Sequence, residues 1–175
     1  MAELTRIGTE FLVNNFGTSG NQYSPTITGL ANGGFVVLWM NRIGNVEGEI
    51  LGQLYRSDGT QIGGDFKVNQ ESTFQYGPSV TSLANGGFVV SWTSYFTGQS
   101  ESSAANVSAQ LFGADGTKVG GTILVNTQLA GLQSSQSITS LSNGGFVVTW
   151  MDDSGTLGDS SGNSVKAQVF GADGS

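Results

Sequence analysis

The chain has 175 residues, long enough to bury a core, with Gly at 28, Pro at only 2 and hydrophobic residues at 37 %. It has no His and no Cys, which excludes serine–histidine triads, cysteine nucleophiles, haem and iron–sulfur ligation, and zinc sites built on nitrogen or sulfur. Lys and Arg number 6 against 13 Asp and Glu, for a net charge of −7 without a basic run, so neither nucleic acid nor an anionic membrane surface is an expected partner.

The N-terminal Met1-Ala2-Glu3-Leu4-Thr5-Arg6 has neither a basic start nor an apolar h-region, and no apolar run is long enough for membrane insertion. The first predicted strand is Phe11-Leu12-Val13, and the second is Pro25-Thr26-Ile27-Thr28. Asn32-Gly33 then reads as a tight hairpin, since both residues tolerate positive φ. The third strand is Phe35-Val36-Val37-Leu38-Trp39, and the fourth is Gly52-Gln53-Leu54-Tyr55, closed by an Asp58-Gly59 turn. No helical period intervenes, which predicts an all-β chain.

The same series returns twice. Gly33-Gly34-Phe35-Val36-Val37-Leu38-Trp39 is matched by Gly86-Gly87-Phe88-Val89-Val90-Ser91-Trp92 and by Gly144-Gly145-Phe146-Val147-Val148-Thr149-Trp150, with the tryptophans 53 and 58 residues apart. Val13-Asn14, Val68-Asn69 and Val125-Asn126 keep step, as do Asp58-Gly59, Asp115-Gly116 and Asp173-Gly174. Residues 1–175 therefore form one repeat domain of three four-stranded units, 5–59, 60–116 and 117–175. The copies differ mainly in the loops at 41–49, 94–106 and 152–164, where function is expected.

Four-stranded units in single file predict β-propeller blades. Propellers close with ~4 to 8 blades, so three predict a homodimer that completes a ring of six; a single-chain β-trefoil or β-prism is the alternative.

The candidate binding residues recur with the repeat. Trp39, Trp92 and Trp150 end the third strands and read either as blade-to-blade packing or as flat surfaces for a sugar ring. Gln22-Tyr23 and Gln75-Tyr76 place an amide beside an aromatic ring, as pyranose recognition requires, whereas Gln133 is followed by Ser134. The same glutamines could instead satisfy loop backbone groups. Gln53, Gln110 and Gln168, in mid-strand, read as structural hydrogen-bonding residues. Asp152, Asp153 and Asp159 lie in a Ser/Gly-rich loop whose hard oxygens would suit Ca²⁺, or which is simply a solvated acidic loop; no other cofactor is expected. Neither repeated pattern sets two carboxylates on converging strands, so the chain is expected not to be an enzyme.

The series Asn-Gly-Gly-Phe-Val-Val-x-Trp, together with Ala109 to Gly113 and the Asp115-Gly116-Thr117-Lys118-Val119-Gly120-Gly121 run that follows, resembles repeats of large secreted bacterial proteins of the RTX and adhesin type. The resemblance implies a propeller-like module, export from a Gram-negative cell, and surface or matrix binding. The Gly-Gly-x-Gly-x-Asp calcium-binding nonapeptide of RTX proteins is absent, so calcium dependence and type I export do not transfer with it. The sequence thus predicts a secreted or surface-located, multivalent, lectin-like binder of glycans or another cell-surface ligand. A structural or protein-interaction spacer is the alternative, and a cytoplasmic location is compatible with the absence of Cys.

Overall fold

The computed structural model describes residues 8–14, 20–42, 48–70, 74–95 and 104–175. Its strands fall into three antiparallel sheets in chain order. The first contains β1 (Asn21–Gly29), β2 (Phe35–Arg42), β3 (Glu49–Tyr55) and β4 (Gln61–Lys67). The second contains β5 (Gln75–Ser82), β6 (Phe88–Tyr95), β7 (Ala105–Phe112) and β8 (Lys118–Leu124). The third has only β9 (Gln133–Ser140), β10 (Phe146–Asp152) and β11 (Ser164–Phe170) among the described residues.

Alternation along the central strands builds the stack, because successive side chains point to opposite faces. From β2, Val36 and Leu38 face the second sheet and pack with Phe88, Val90 and Trp92 of β6. Val89 of β6 and Ala109 and Leu111 of β7 meet Phe146, Val148 and Trp150 of β10 in the same way. Each sheet is thus a meander laid face to face on the next, which is the blade arrangement of a propeller rather than of a trefoil or prism.

The sheets are offset by one strand from the sequence units. Residues 61–67 open the second sequence unit, yet they pair with β3, through Leu54↔Ile62 and Leu51↔Lys67, and close the first blade. β8 closes the second blade likewise, through Leu111↔Val119 and Ser108↔Leu124. Phe11-Leu12-Val13, expected as a first strand, has no strand conformation and lies against the first blade.

The turn chemistry differs in one respect from the sequence expectation. Gly33 has φ 84°, but Asn32 is not among the positive-φ residues. Gly33 N–H instead donates to Leu30 O at 3.0 Å, and Asn32 Oδ1 accepts from Gly34 N–H at 2.9 Å. The result is a type I turn closed by a left-handed glycine, with Asn bonding its own backbone. The Asp-Gly turns use the same geometry: Gly59 N–H donates to Arg56 O at 3.0 Å, and Asp58 Oδ1 accepts from Thr60 N–H at 2.8 Å.

Candidate functional site

Each first strand of a blade is broken by a bulge just after the positions singled out in the sequence. The register shifts between Tyr23 and Thr26 in β1, between Tyr76 and Ser79 in β5 and between Ser134 and Ser137 in β9, and Ser24, Gly77 and Ser135 in these bulges have φ 49°, 58° and 54°. A bulge re-aims the neighbouring side chains. Gln75 consequently turns inward, fully buried, while Tyr76 keeps 38 % of its surface.

The glutamines are engaged with the scaffold. Gln22 Nε2 donates to Asn41 Oδ1 at 3.0 Å, tying β1 to β2. Gln75 Oε1 accepts from Ser94 Oγ at 2.7 Å. Gln133 Nε2 donates to Ala130 O at 2.8 Å, and its Oε1 accepts from Asn126 Nδ2 at 3.2 Å. Gln75 and Gln133 are wholly enclosed, so in this conformation neither touches a ligand.

The tryptophans are also interior. Trp92 is fully enclosed between the first two blades, and Trp150 is buried between the second and third. Trp39 lies on the face of the first blade turned away from the second, where Val13 packs over it. There Gln22, Tyr23 and Trp39 line one cavity of about 150 Å³ with Val13, Asn14, Pro25 and Val37. The structure brings together three of the predicted residues in that cavity, but on a face whose counterparts in the other two blades are covered by a neighbouring blade.

A second grouping surrounds Tyr76. Its ring lies 6.2 Å from that of Phe74 at an interplanar angle of 15°, and 6.3 Å from that of Tyr95, nearly perpendicular. The pairing of the strand ends holds the cluster, since Tyr95 N–H donates to Phe74 O at 2.9 Å. From the first blade, the Arg42 guanidinium sits 4.8 Å above the centre of the Phe74 ring, a cation–π arrangement. This aromatic cluster stands at the strand ends from which the variable loops leave; residues 43–47 and 96–103 of those loops lie outside the described residues. Phe74 and Tyr76 are two positions apart along one strand edge, a spacing that predicts a shared side. Arg42 comes from another blade and has no local sequence signal.

The carboxylates considered for Ca²⁺ are not gathered into one site. Asp152 is buried, and its Oδ1 accepts from Lys166 Nζ at 2.8 Å and from Ser154 N–H at 2.9 Å. Burial pushes its carboxyl up, but the Lys166 ammonium and the Ser154 hydroxyl and N–H outweigh that and hold it below the usual value. Asp153 instead accepts from Leu132 N–H. Asp159 caps a turn through the Ser161 N–H and hydroxyl, which hold it low. Among the described residues no group of three or more His, Cys, Asp or Glu is placed to hold a metal ion.

No protein-family model matches the chain, and none of the curated proteins matches it in sequence. Solved structures do resemble it in fold. An endo-arabinase from Bacteroides thetaiotaomicron VPI-5482 has a TM-score of 0.62 at 12 % identity, over 94 % of this chain and 61 % of that one. An α-L-arabinofuranosidase from Lactobacillus brevis has a TM-score of 0.55 at 13 % identity, over 89 % and 55 %. A thermostable family-43 glycoside hydrolase has a TM-score of 0.51 at 14 % identity, over 85 % and 54 %. The chain therefore spans little more than half the length of these structures, which are five-bladed β-propellers. At such identities the likeness establishes the propeller-type fold. It also corrects the expectation that the chain is not an enzyme: these three similar structures are enzymes, so this fold does not argue against catalysis.

Proposed function

We propose that this chain is a carbohydrate-recognition module of a secreted or surface-located protein, and that its glycan-binding surface is the aromatic cluster of Phe74, Tyr76 and Tyr95 with Arg42. The observation that carries this reading is the half-exposed Tyr76 ring braced by two other aromatic rings. A braced, flat apolar surface receives the C–H face of a sugar ring without first paying to order a side chain, and the phenol and guanidinium supply donors for its hydroxyls. The occurrence of this fold in enzymes named for arabinose-containing substrates supports a sugar ligand. Two copies joined in a six-bladed ring would present two such clusters, and weak sites gain from being paired.

A glycan array probed with the protein, with and without added Ca²⁺, tests the reading. Retention on a defined set of glycans is expected; no retention on any glycan at millimolar ligand would overturn it. The complete burial of Gln75, Gln133 and Trp92 favours a second reading, a structural or protein-interaction repeat, in which the surface at Tyr76 contacts a protein instead.

A further inference from the structure

Among the described residues the third blade has three strands, and residues 8–14 carry the sequence of a fourth. Residues 8–14, Gly-Thr-Glu-Phe-Leu-Val-Asn, correspond to 63–69 and 120–126, which form most of β4 and β8 and the two residues after each. The backbone already shares their shape: Gly8 has φ 80°, beside 66° at Gly63 and 67° at Gly120, where β4 and β8 shift register. The segment is also seated as a fourth strand would be. Phe66 of β4 reaches across to Phe112 of the next blade, with ring centroids 5.4 Å apart and a 50° tilt. Phe11 meets Tyr55, the counterpart of Phe112, at 5.5 Å and 48°. The segment thus lies on the first blade as the last strand of a preceding blade would.

The opposite end has the complementary lack. Gln53 and Gln110 are fully buried, and each Nε2 reaches a carbonyl of the fourth strand, Ile62 O at 2.8 Å and Val119 O at 3.0 Å. Their counterpart Gln168 is exposed and donates only to Val169 O within its own strand, at 3.1 Å. Val165 is 79 % exposed where Ile50 and Val107 are 0 %. On the first blade Ile27 is 61 % exposed, whereas Val80 and Ile138 at the same position are 9 % and 8 %, covered by the blade before them. Both end faces are therefore halves of the contact that joins the blades within the chain.

We propose that residues 8–14 of a second copy add to β11 as the fourth strand of the third blade, while the third blade of that copy covers the first blade of this one. The occupant is a second copy because the segment rests on the face of the first blade opposite the other two, with the second blade between it and β11. The internal blades give the register. Val68 N–H donates to Ile50 O at 2.8 Å, and Asn69 Oδ1 accepts from Ile50 N–H at 2.9 Å. The same pair recurs at Val125 and Asn126 on Val107, at 2.9 Å and 2.7 Å. Val13 and Asn14 accordingly bond Val165 of the other copy, and Phe11 lies opposite Ala167, as Phe66 lies opposite Gly52 and Ile123 opposite Ala109. This deepens the paired-ring reading above and rests on it. It gives the third blade the four strands of the other two and covers both apolar ends.

The test uses the absence of Cys in the chain. Opposed residues of antiparallel strands have Cα atoms ~4.5–5.5 Å apart, within disulfide reach. The F11C/A167C double variant, oxidised and run without reductant, is expected to give one covalent species of twice the 18.1 kDa chain mass. It should revert on reduction, and neither single variant should yield it. Because loss of the Phe11 ring could itself weaken the contact, V13P, which removes the N–H aimed at Val165, is measured beside it and is expected to halve the native mass. A native dimer that neither cross-links nor responds to V13P would overturn the strand exchange and leave the paired ring standing. A monomeric parent protein would overturn both, and would give the open edge another occupant. A ladder of higher covalent multiples would keep the strand addition and overturn the closed ring.

Discussion

Phe11 and Tyr55 meet with ring centroids 5.5 Å apart, and the Tyr55 hydroxyl donates to Val13 O at 3.0 Å. Together these contacts hold residues 8–14 on the outer face of the first blade although the segment pairs with no sheet. The geometry nearly repeats that of Phe66 on Phe112 between complete blades. A repeat protein is stabilised by its neighbour contacts, and this one presents half of such a contact at each end.

Comparison of two matched glutamines tests that description. Gln110→Ala removes a buried donor from Leu111 O and Val119 O, and an expected loss of about 1–3 kcal/mol follows at any protein concentration. Gln168→Ala should cost a similar amount only where the chains are associated, and near nothing at dilutions where they separate. Urea unfolding at two protein concentrations gives the answer.

Tyr76 and Trp92 separate binding from folding. Tyr76→Ala should abolish glycan retention while leaving the unfolding midpoint nearly unchanged, since the ring is partly exposed and lies near the start of its strand. Trp92→Ala empties a fully enclosed site between two blades and should cost about 3–5 kcal/mol. Array binding and thermal unfolding of the two variants should therefore move in opposite patterns.

The buried pair of Asp152 and Lys166 carries a pH dependence. The native carboxyl lies below its ordinary value, so its stabilisation is present above the unfolded value near ~4 and is lost as pH falls through the lower native one. Asp152→Asn leaves the Lys166 ammonium, 10 % exposed, without its partner, an expected loss of about 3–5 kcal/mol at pH 7. The difference between variant and parent should shrink below pH ~4, a convergence that denaturation curves taken across pH would reveal.

Much of this fold is legible in the sequence because it is written locally. The alternation in Phe35-Val36-Val37-Leu38-Trp39 and the Asn32-Gly33 and Asp58-Gly59 turns mark strands and hairpins from their own residues. Which sheet a strand joins is not local. Residues 61–67 begin a sequence unit but end the preceding blade, because pairing with β3 decides their place. The site divides in the same way. Tyr76 is visible from its neighbours, whereas the burial of Gln75 follows from a bulge at Gly77, and Arg42 reaches Phe74 from another blade. The tryptophans could be placed on one strand face from the period of two, but whether that face meets a ligand or a blade depends on stacking.

Two copies that complete one another make the unmodified protein a dimer in solution, and its mass there is the decisive quantity. Sedimentation equilibrium across a hundredfold range of concentration should give twice the 18.1 kDa chain mass at the upper end. A mass of 18.1 kDa throughout that range would mean that the two end faces do not meet.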